Sequence, residues 1–589
     1  MDGRAVEVPD DGSDLLTVLR EQLGIRSPKD GCSPQGQCGC CTVLVDGQPR
    51  VACVTPARRV RGRSITTLDG LDPERRQAWG DAFCATGGSQ CGFCTPGIIL
   101  RLEGLRTKGS DLCDQQQVGQ ALLAHLCRCT GWRTILDAAA VAGGSDRHVT
   151  ERQPSASQKC GQSWLLSNHF RAQNASAGAG RDLEAATRRA EIEGRGPQRV
   201  GPDVPLGGGG FADDTAPANA LVAVPDASGE WVVADSLAAA RAASGKVQGR
   251  RTTVDVTHPL ELPPGDWDAT LRTTWVEPAY LELDASWCEP GGTPSSPLAN
   301  GGAFGGKQTS EVAAVARELA DRHGRPVRVV LSREDAVRRG AKRPPIAAGV
   351  RADGTGVARV VRTPGIGDAI GAVAPALAVE EVDVPGPPTS AALRAAGWAE
   401  ALVLLAGAHA AARAKGGGGS VAIDWSDVTS AGSVPPRFPL VDANGQARLL
   451  AVDAHDQSAV VSLRSPDGAT AAAQVTLGER AQVAIRVRCG DPLDEVVLRS
   501  YCIGAAHMAL GWACNEALAV DADGQVNDLT IRSFGVLRAV DTPPIEVEIE
   551  PDDGPPVNGS DAAFAAVAAA TWLAQGRPTE WPTGVLPRR

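Results

Sequence analysis

The sequence predicts a multidomain α+β chain, and three observations carry that reading. The chain has 589 residues, enough for roughly three or four domains of ordinary size. Eleven of its sixteen cysteines precede residue 130, in a stretch whose periodicity passes from a short helix to a hairpin to further helices. From about residue 200 onward, strand-like and helix-like segments alternate.

Residues 13–24 place Leu15, Leu16, Leu19 and Leu23 at helical spacing, with Ser13 as the expected N-cap and Gly24 as the expected C-cap. A Gly- and Cys-rich loop follows over 31–41. The stretch TVLVDGQPRVAC then reads as a hairpin that turns at Asp46-Gly47. Residues 75–140 read mostly as helices, and 145–200 as a polar linker. Farther on, 310–324 reads as a helix closed by Gly324, 327–332 as a strand, and Lys415–Ser420 as a second flexible joint.

A net charge of −11 argues against a nucleic-acid partner, which needs a basic face. Residues 1–12 are acidic and show no export signal, so a cytoplasmic location is expected. The longest apolar run, Ala395–Ala412, contains Glu400 and His409 and reads as a buried helix, not a membrane span. Thiols kept reduced in such a compartment and packed this densely point to metal binding.

The cysteines form two sets. Cys32, Cys38 and Cys41 share the loop GCSPQGQCGCC, and Cys53 returns at the end of the hairpin. Glycines in that loop let it curl and turn amides inward, as cluster sulfurs require. The ferredoxin pattern C-x₄-C-x₂-C is matched with one extra residue in the first gap. Cys40 falls outside it and is read as a non-ligand. The second set is Cys91, Cys94, Cys127 and Cys129. Thr95 and Pro96 after Cys94 read as the cap and first residue of a helix. Spacing alone also admits two zinc sites.

The segments GCSPQGQCGCCTVLVDG, SQCGFCTPG and HLCRCTGW resemble, in order and from residue 3 to about 142, the iron–sulfur region of molybdenum hydroxylases. These are the relatives of xanthine dehydrogenase, aldehyde oxidase and carbon monoxide dehydrogenase. The resemblance implies a β-grasp [2Fe–2S] ferredoxin-like domain over 1–74, starting at the closing turn of its first strand. It further implies a four-helix [2Fe–2S] domain over 75–144, a linker over 145–200 and a shortened α+β molybdopterin-binding region over 201–589. Gln90 is implied to hydrogen-bond the molybdopterin.

Phe211-Ala212-Asp213-Asp214 looks like the opening of the molybdenum-binding part. Asn300–Lys307 is similar to its GGGFGGK loop and is followed by the matching GRPVRVVLSRED, which implies that Gly302, Ala303, Phe304 and Gly305 face the cofactor. Leu393–Gly397 resembles the arginine loop near the molybdenum and singles out Arg394; residues 504–550 resemble the closing segment. The implied cofactors are two [2Fe–2S] clusters and a molybdopterin with molybdenum, as the cytosine dinucleotide in bacterial members. The implied partners are a small aldehyde or N-heterocycle substrate and, because no flavin domain fits in the linker, a separate acceptor such as a flavin subunit or cytochrome. An oligomer is expected.

The sequence departs from the family at the catalytic base. Relatives carry a glutamate in a GVGE motif, where this chain reads GPPVNGSDAAF over 554–564, with Val557 at the glutamate's place and Asp561 displaced beyond it. Losing such a base costs roughly 10²–10⁴ in rate. Two functions stay open: a compact molybdenum oxidoreductase, or a non-catalytic electron-transfer or scaffold subunit. The catalytic residue is left unassigned. His507 is read as structural, and Cys84, Cys113, Cys160, Cys288, Cys489, Cys502 and Cys514 as scattered thiols of the interior.

Overall fold

The computed structural model describes residues 1–144, 181–245, 255–298, 303–307, 310–415, 447–453, 455 and 457–586. Helix α1 (Leu15–Thr17) runs on as a π-turn over Val18–Gln22 and buries Leu15, Leu16 and Leu19. Its cap is Asp14, not Ser13. The Asp14 carboxylate accepts from both the Thr17 amide (3.0 Å) and the Thr17 hydroxyl (2.8 Å), two donors that one serine oxygen serves less well.

Strands β1 (Thr42–Val45) and β2 (Gln48–Val51) pair antiparallel through the expected turn, in which Asp46 (φ 48°) and Gly47 (φ 72°) are both left-handed. The short β3 (Ile65–Thr66) pairs with the other edge of β1, giving the order β2-β1-β3. Four helices follow: α2 (Pro73–Thr86), α3 (Thr95–Arg106), α4 (Gln115–Ala121) and α5 (Arg133–Gly144). Helix α3 starts at Thr95 with Cys94 in the cap position, and the Thr95 hydroxyl lies 3.4 Å from Ser89 Oγ. The buried indole of Trp79 donates to Glu103 (2.9 Å) and ties α2 to α3. One apolar core containing Val43, Phe83, Ile98 and Ile135 runs through both the hairpin and the helices.

Of the stretch read as a linker, residues 145–180 lie outside the described residues, while Leu183–Gly194 forms helix α6 with Arg189 and Glu193 fully buried. The joint read at Lys415–Ser420 falls outside the described residues after Lys415. The rest of the chain builds three sheets. The first orders β5 (Trp231–Ala234), β4 (Leu221–Pro225), β8 (Val327–Val330) and β7 (Ala285–Cys288), with helix α7 (Val312–His323) against it. The second orders β11 (Leu377–Val382), β10 (Gly356–Val361), β9 (Ile346–Val350) and β6 (Ala269–Arg272).

The third sheet runs β12 (Ala447–Asp453), β13 (Ser458–Arg464), β14 (Thr470–Thr476), β15 (Gln482–Arg488) and β16 (Ile545–Ile549). Against it lie α8 (Trp398–Lys415), α9 (Glu495–Cys514) and α10 (Ser560–Ala574). Helix α10 is buried along its whole length, as an alanine-rich helix apolar on every side must be. Helix α8 confirms the run read as a buried helix but begins at Trp398, since Arg394 (φ 27°), Ala395 (φ 61°) and Gly397 (φ 85°) cannot be helical. No described helix is long and apolar enough to cross a membrane.

His507 on α9 is structural: fully buried, with Nε2 3.1 Å from the Leu537 carbonyl oxygen. Burial, with Arg128 nearby, holds its imidazole neutral and lowers its pKa from 6.5 to about 4. The unfolded chain therefore binds the extra proton. The stability due to His507 is complete above pH 6.5 and declines as pH falls toward 4. Between pH 6.5 and 5 the loss is expected to be about 2 kcal/mol, and denaturant unfolding at the two pH values should show it shrink in His507→Gln.

Candidate metal centres and cofactor cavity

The first cysteine set gathers beneath the hairpin. Cys32, Cys38, Cys41 and Cys53 are all buried. The Cys32 thiol is hydrogen-bonded to Cys38 and Cys53, and Cys53 also to Cys41. Backbone amides serve the sulfurs: Gln35 N–H reaches Cys32 Sγ at 3.2 Å and Cys53 N–H reaches Cys41 Sγ at 3.5 Å. Contacts with Cys38 and Cys53, then the amides of Gln37 and Gln35, pull the Cys32 thiol well below its ordinary range. Arg333 fixes the loop from outside, donating to the carbonyl oxygens of Gly31 (2.7 Å) and Leu281 (3.1 Å).

The second set meets across the helical part. Cys91 and Cys94 precede α3, and Cys127 and Cys129 lie in the loop before α5. The Cys91 and Cys129 sulfurs are 3.6 Å apart, and the Cys94 and Cys127 thiols are in contact. The bond with Cys94, then Thr130, brings the Cys127 thiol down to about 6. Gly504 of α9 admits this loop: a Cβ there would stand 1.8 Å from the Cys129 carbonyl oxygen. Cys40 lies near both sets: the charges of Cys32, Cys41 and Cys91 bear on it, and it bears on Cys94. Of the thiols read as scattered, Cys288, Cys489, Cys502 and Cys514 are buried, Cys84 and Cys113 are half-buried, and Cys160 lies outside the described residues.

Among the described residues no three His, Cys, Asp or Glu side chains surround the place of a single metal ion. Tetrahedral zinc needs four ligands about one point, whereas a binuclear cluster takes two thiolates at each iron. The sulfurs of the second set, which meet in pairs, fit the second requirement.

Beside the second set lies a cavity of ≈ 540 Å³, open to solvent on part of its surface, lined by Gln90, Cys129, Glu282, Phe304, Lys307 and Tyr501 among others. Gln90 donates to Ser500 Oγ (3.0 Å), while its Oε1 is buried without a hydrogen-bond partner. Phe304 is left-handed (φ 55°), a conformation rare for an aromatic residue. At Gly305 a Cβ would stand 2.0 Å from the Ala392 carbonyl oxygen, so this glycine lets the arginine loop close on the Phe304 loop. Arg394 N–H then donates to the Phe304 carbonyl (2.8 Å), and its guanidinium lies 4.5 Å from the Phe304 ring centroid. Gly302 lies outside the described residues, and Ala303 is placed by its backbone alone.

Arg394 does not line the cavity. Its Nη1 binds Ser560 Oγ (2.8 Å) and Asp561 Oδ1 (2.9 Å), while Nε and Nη2 are buried without hydrogen-bond partners. Asp561 also pairs with Arg195 at 2.6 Å, so the displaced carboxylate is clamped between two arginines. Val557 offers only its backbone, accepting from Arg189 (2.9 Å). Nearby, Glu193 accepts from the amides of Gly559 (3.0 Å) and Ser560 (2.8 Å) at the start of α10. The carboxylate that does line the cavity is Glu282. Burial pushes it up to about 7 against the pull of Lys307, whose Nζ is 3.1 Å away. No sequence motif distinguishes Glu282, and its role emerges only from its burial. The Phe211–Asp214 segment is a tie between chain regions: Asp213 and Asp214 bind Arg20 (2.6 and 2.9 Å), Asp214 binds Lys29, and Phe211 meets Phe93 edge-on at 5.1 Å.

The unpaired Gln90 acceptor in the cavity and the paired sulfurs beside it together fit a molybdopterin beside an iron–sulfur cluster. Comparison with known proteins agrees. Residues 67–140 match the family described as [2Fe-2S] binding domain, and residues 298–363 the molybdopterin cofactor-binding domain. The chain is 43% identical over 138 residues to an aldehyde oxidoreductase of Megalodesulfovibrio gigas, a match covering 22% of this chain and 15% of that one. It is 39% identical over 132 residues to the isoquinoline 1-oxidoreductase subunit alpha of Brevundimonas diminuta, covering 22% of this chain and 85% of that subunit. The sequence matches thus span a small part of the large enzymes and most of the small iron–sulfur subunits. In fold, the aldehyde oxidoreductase of Desulfovibrio gigas superposes with a TM-score of 0.67 at 16% identity, over 98% of this chain and 97% of that one. The α+β multidomain architecture read from the sequence is therefore that of an aldehyde oxidoreductase. By these matches the chain belongs to the molybdenum hydroxylase family, the [2Fe–2S]- and molybdopterin-binding relatives of xanthine dehydrogenase and aldehyde oxidase.

Proposed function

We propose that this chain is a molybdenum-dependent oxidoreductase that passes electrons from a molybdenum centre through two [2Fe–2S] clusters to an external acceptor. The observation that carries the reading is the cavity where Gln90 and Phe304 converge on the sulfurs of the second cysteine set. Molybdenum carried by a molybdopterin cytosine dinucleotide would supply the two-electron oxidation when bound. Cys91, Cys94, Cys127 and Cys129 hold the cluster nearer the cavity, and Cys32, Cys38, Cys41 and Cys53 hold the outer one, with Cys40 between them.

Gln90 offers its free Oε1 to a donor on the pterin, and the backbone of Ala303, Phe304 and Gly305 forms one wall of its seat. Arg394 supports that wall through the Phe304 carbonyl and ring. With Asp561 clamped by Arg394 and Arg195, the proton acceptor facing the cavity is Glu282, which near neutral pH holds or releases a proton according to its partner Lys307. Aldehydes and N-heterocycles are the substrate classes, by analogy with the aldehyde and isoquinoline oxidoreductases that the chain resembles.

The scaffold-subunit reading draws on the same clamp at Asp561 and on Val557. Metal and pterin content of the chain purified without air separates the two. About four irons and about one molybdenum with pterin per chain is expected of the enzyme. About four irons with neither molybdenum nor pterin would leave an electron-transfer scaffold.

A further inference from the structure

We propose that the arginine face beside Cys53 is the docking surface for an acidic electron-acceptor protein. The inference rests on the reading that Cys53 ligates the outer cluster. Between residues 50 and 63 the chain carries Arg50, Arg58, Arg59, Arg61 and Arg63 and no Asp or Glu, in a protein of net charge −11. All five are exposed. Arg61 pairs with Asp10 (3.1 Å) and Arg63 with Asp46 (2.6 Å), both at the surface, while Arg50, Arg58 and Arg59 have no ion pair among the described residues. Three uncompensated positive charges therefore face solvent.

The face is placed where an electron would leave. Arg50 sits on edge strand β2 just before Cys53, and Arg58 and Arg59 lie in the 3₁₀ turn Ala57–Val60 just after it. Between them Val54 is 57% exposed and lies against the cysteine loop: a Cβ on Gly36 would be 2.9 Å from Val54 Cγ1. An exposed apolar side chain with arginines before and after it in the chain, one residue from a buried thiol that is 5% exposed, fits a protein interface with an apolar centre and a charged rim. Complementary charge there speeds encounter and makes it depend on salt. In the step itself one electron leaves the reduced cluster, which is oxidised, and reduces one ferric haem or comparable one-electron acceptor. No proton or bond change is involved.

The test uses the full chain with its clusters photoreduced by a deazaflavin and mixed in a stopped-flow cell with two probes of one fold, native basic cytochrome c and its succinylated acidic form. For the acidic form the bimolecular rate constant is expected to fall about tenfold between low and physiological ionic strength. In Arg58→Glu/Arg59→Glu at low salt it is expected to fall by a similar factor, with the cluster spectrum unchanged and reduction of a neutral quinone unaffected. The basic form should gain from the same double substitution. If the clusters are present but the acidic acceptor reacts at a rate indifferent to salt and to the substitution, the docking surface is wrong. If the chain shows no iron–sulfur absorbance to bleach, the ligand reading itself has failed, and the docking proposal falls with it.

Discussion

Cys94→Ser is expected to remove one of two clusters, lowering iron from about four to about two per chain and leaving one [2Fe–2S] signal in the electron paramagnetic resonance spectrum of the reduced protein. The Cys94 thiol is buried against Cys127, and the Cys91 and Cys129 sulfurs are 3.6 Å apart, so the four meet as two pairs. A hydroxyl in place of one thiol is a hard, weakly acidic ligand where the cluster takes a thiolate. The first set shares no ligand with the second, and its sulfurs keep their amide donors from Gln35 and Cys53. The surviving signal therefore reports that the variant folds. Cys40→Ser is the companion: as a non-ligand its loss should leave iron at about four. Iron retained in Cys94→Ser, or lost in Cys40→Ser, would mean that the ligand sets are drawn wrongly.

The gathering of these cysteines into two groups is legible in the sequence because a cysteine loop is local. The spacing of Cys32, Cys38 and Cys41 and the Asp46-Gly47 turn lie within a short run of chain, where bond geometry leaves few choices. Local chemistry failed only by a residue or so. Asp14 displaced Ser13 as a cap because it has two acceptor oxygens, and α8 started late because Arg394 and Ala395 are left-handed. The cavity's electrostatics were not legible, because they are made by residues far apart in the chain. Glu282 is an unremarked glutamate until burial and Lys307 set its protonation. Asp561 looks free until Arg195 and Arg394 close on it. Glu193 came from a stretch whose polar composition reads as linker, yet it is fully buried at the start of α10. A polar sequence reads as solvated only if its charges stay in water, and pairing with Arg189 at 3.0 Å removed that condition.

Glu516→Gln is expected to cost about 3–5 kcal/mol of stability and to loosen the loop of the cavity-side cluster. Arg128 stands between the ligands Cys127 and Cys129, and its two terminal nitrogens each meet a Glu516 oxygen at 2.6 Å while Nε donates to the Pro278 carbonyl at 2.9 Å. Both side chains are buried, at 7% and 1% exposure. The amide keeps the size and one acceptor of the carboxylate but strands the guanidinium charge away from water, and that stranded charge is the source of the cost. Denaturant unfolding followed by tryptophan fluorescence reads the stability, and cluster bleaching in the same titration reads the loop; bleaching should precede global unfolding in the variant and coincide with it in the parent. The double substitution Arg128→Met/Glu516→Leu removes both charges together, so it should recover most of the lost stability. Recovery would show that the pair is retained for holding Arg128 in register between its cysteines and not for net stability. A cost below about 1 kcal/mol in Glu516→Gln would instead place the pair with weakly coupled surface ion pairs, against its burial.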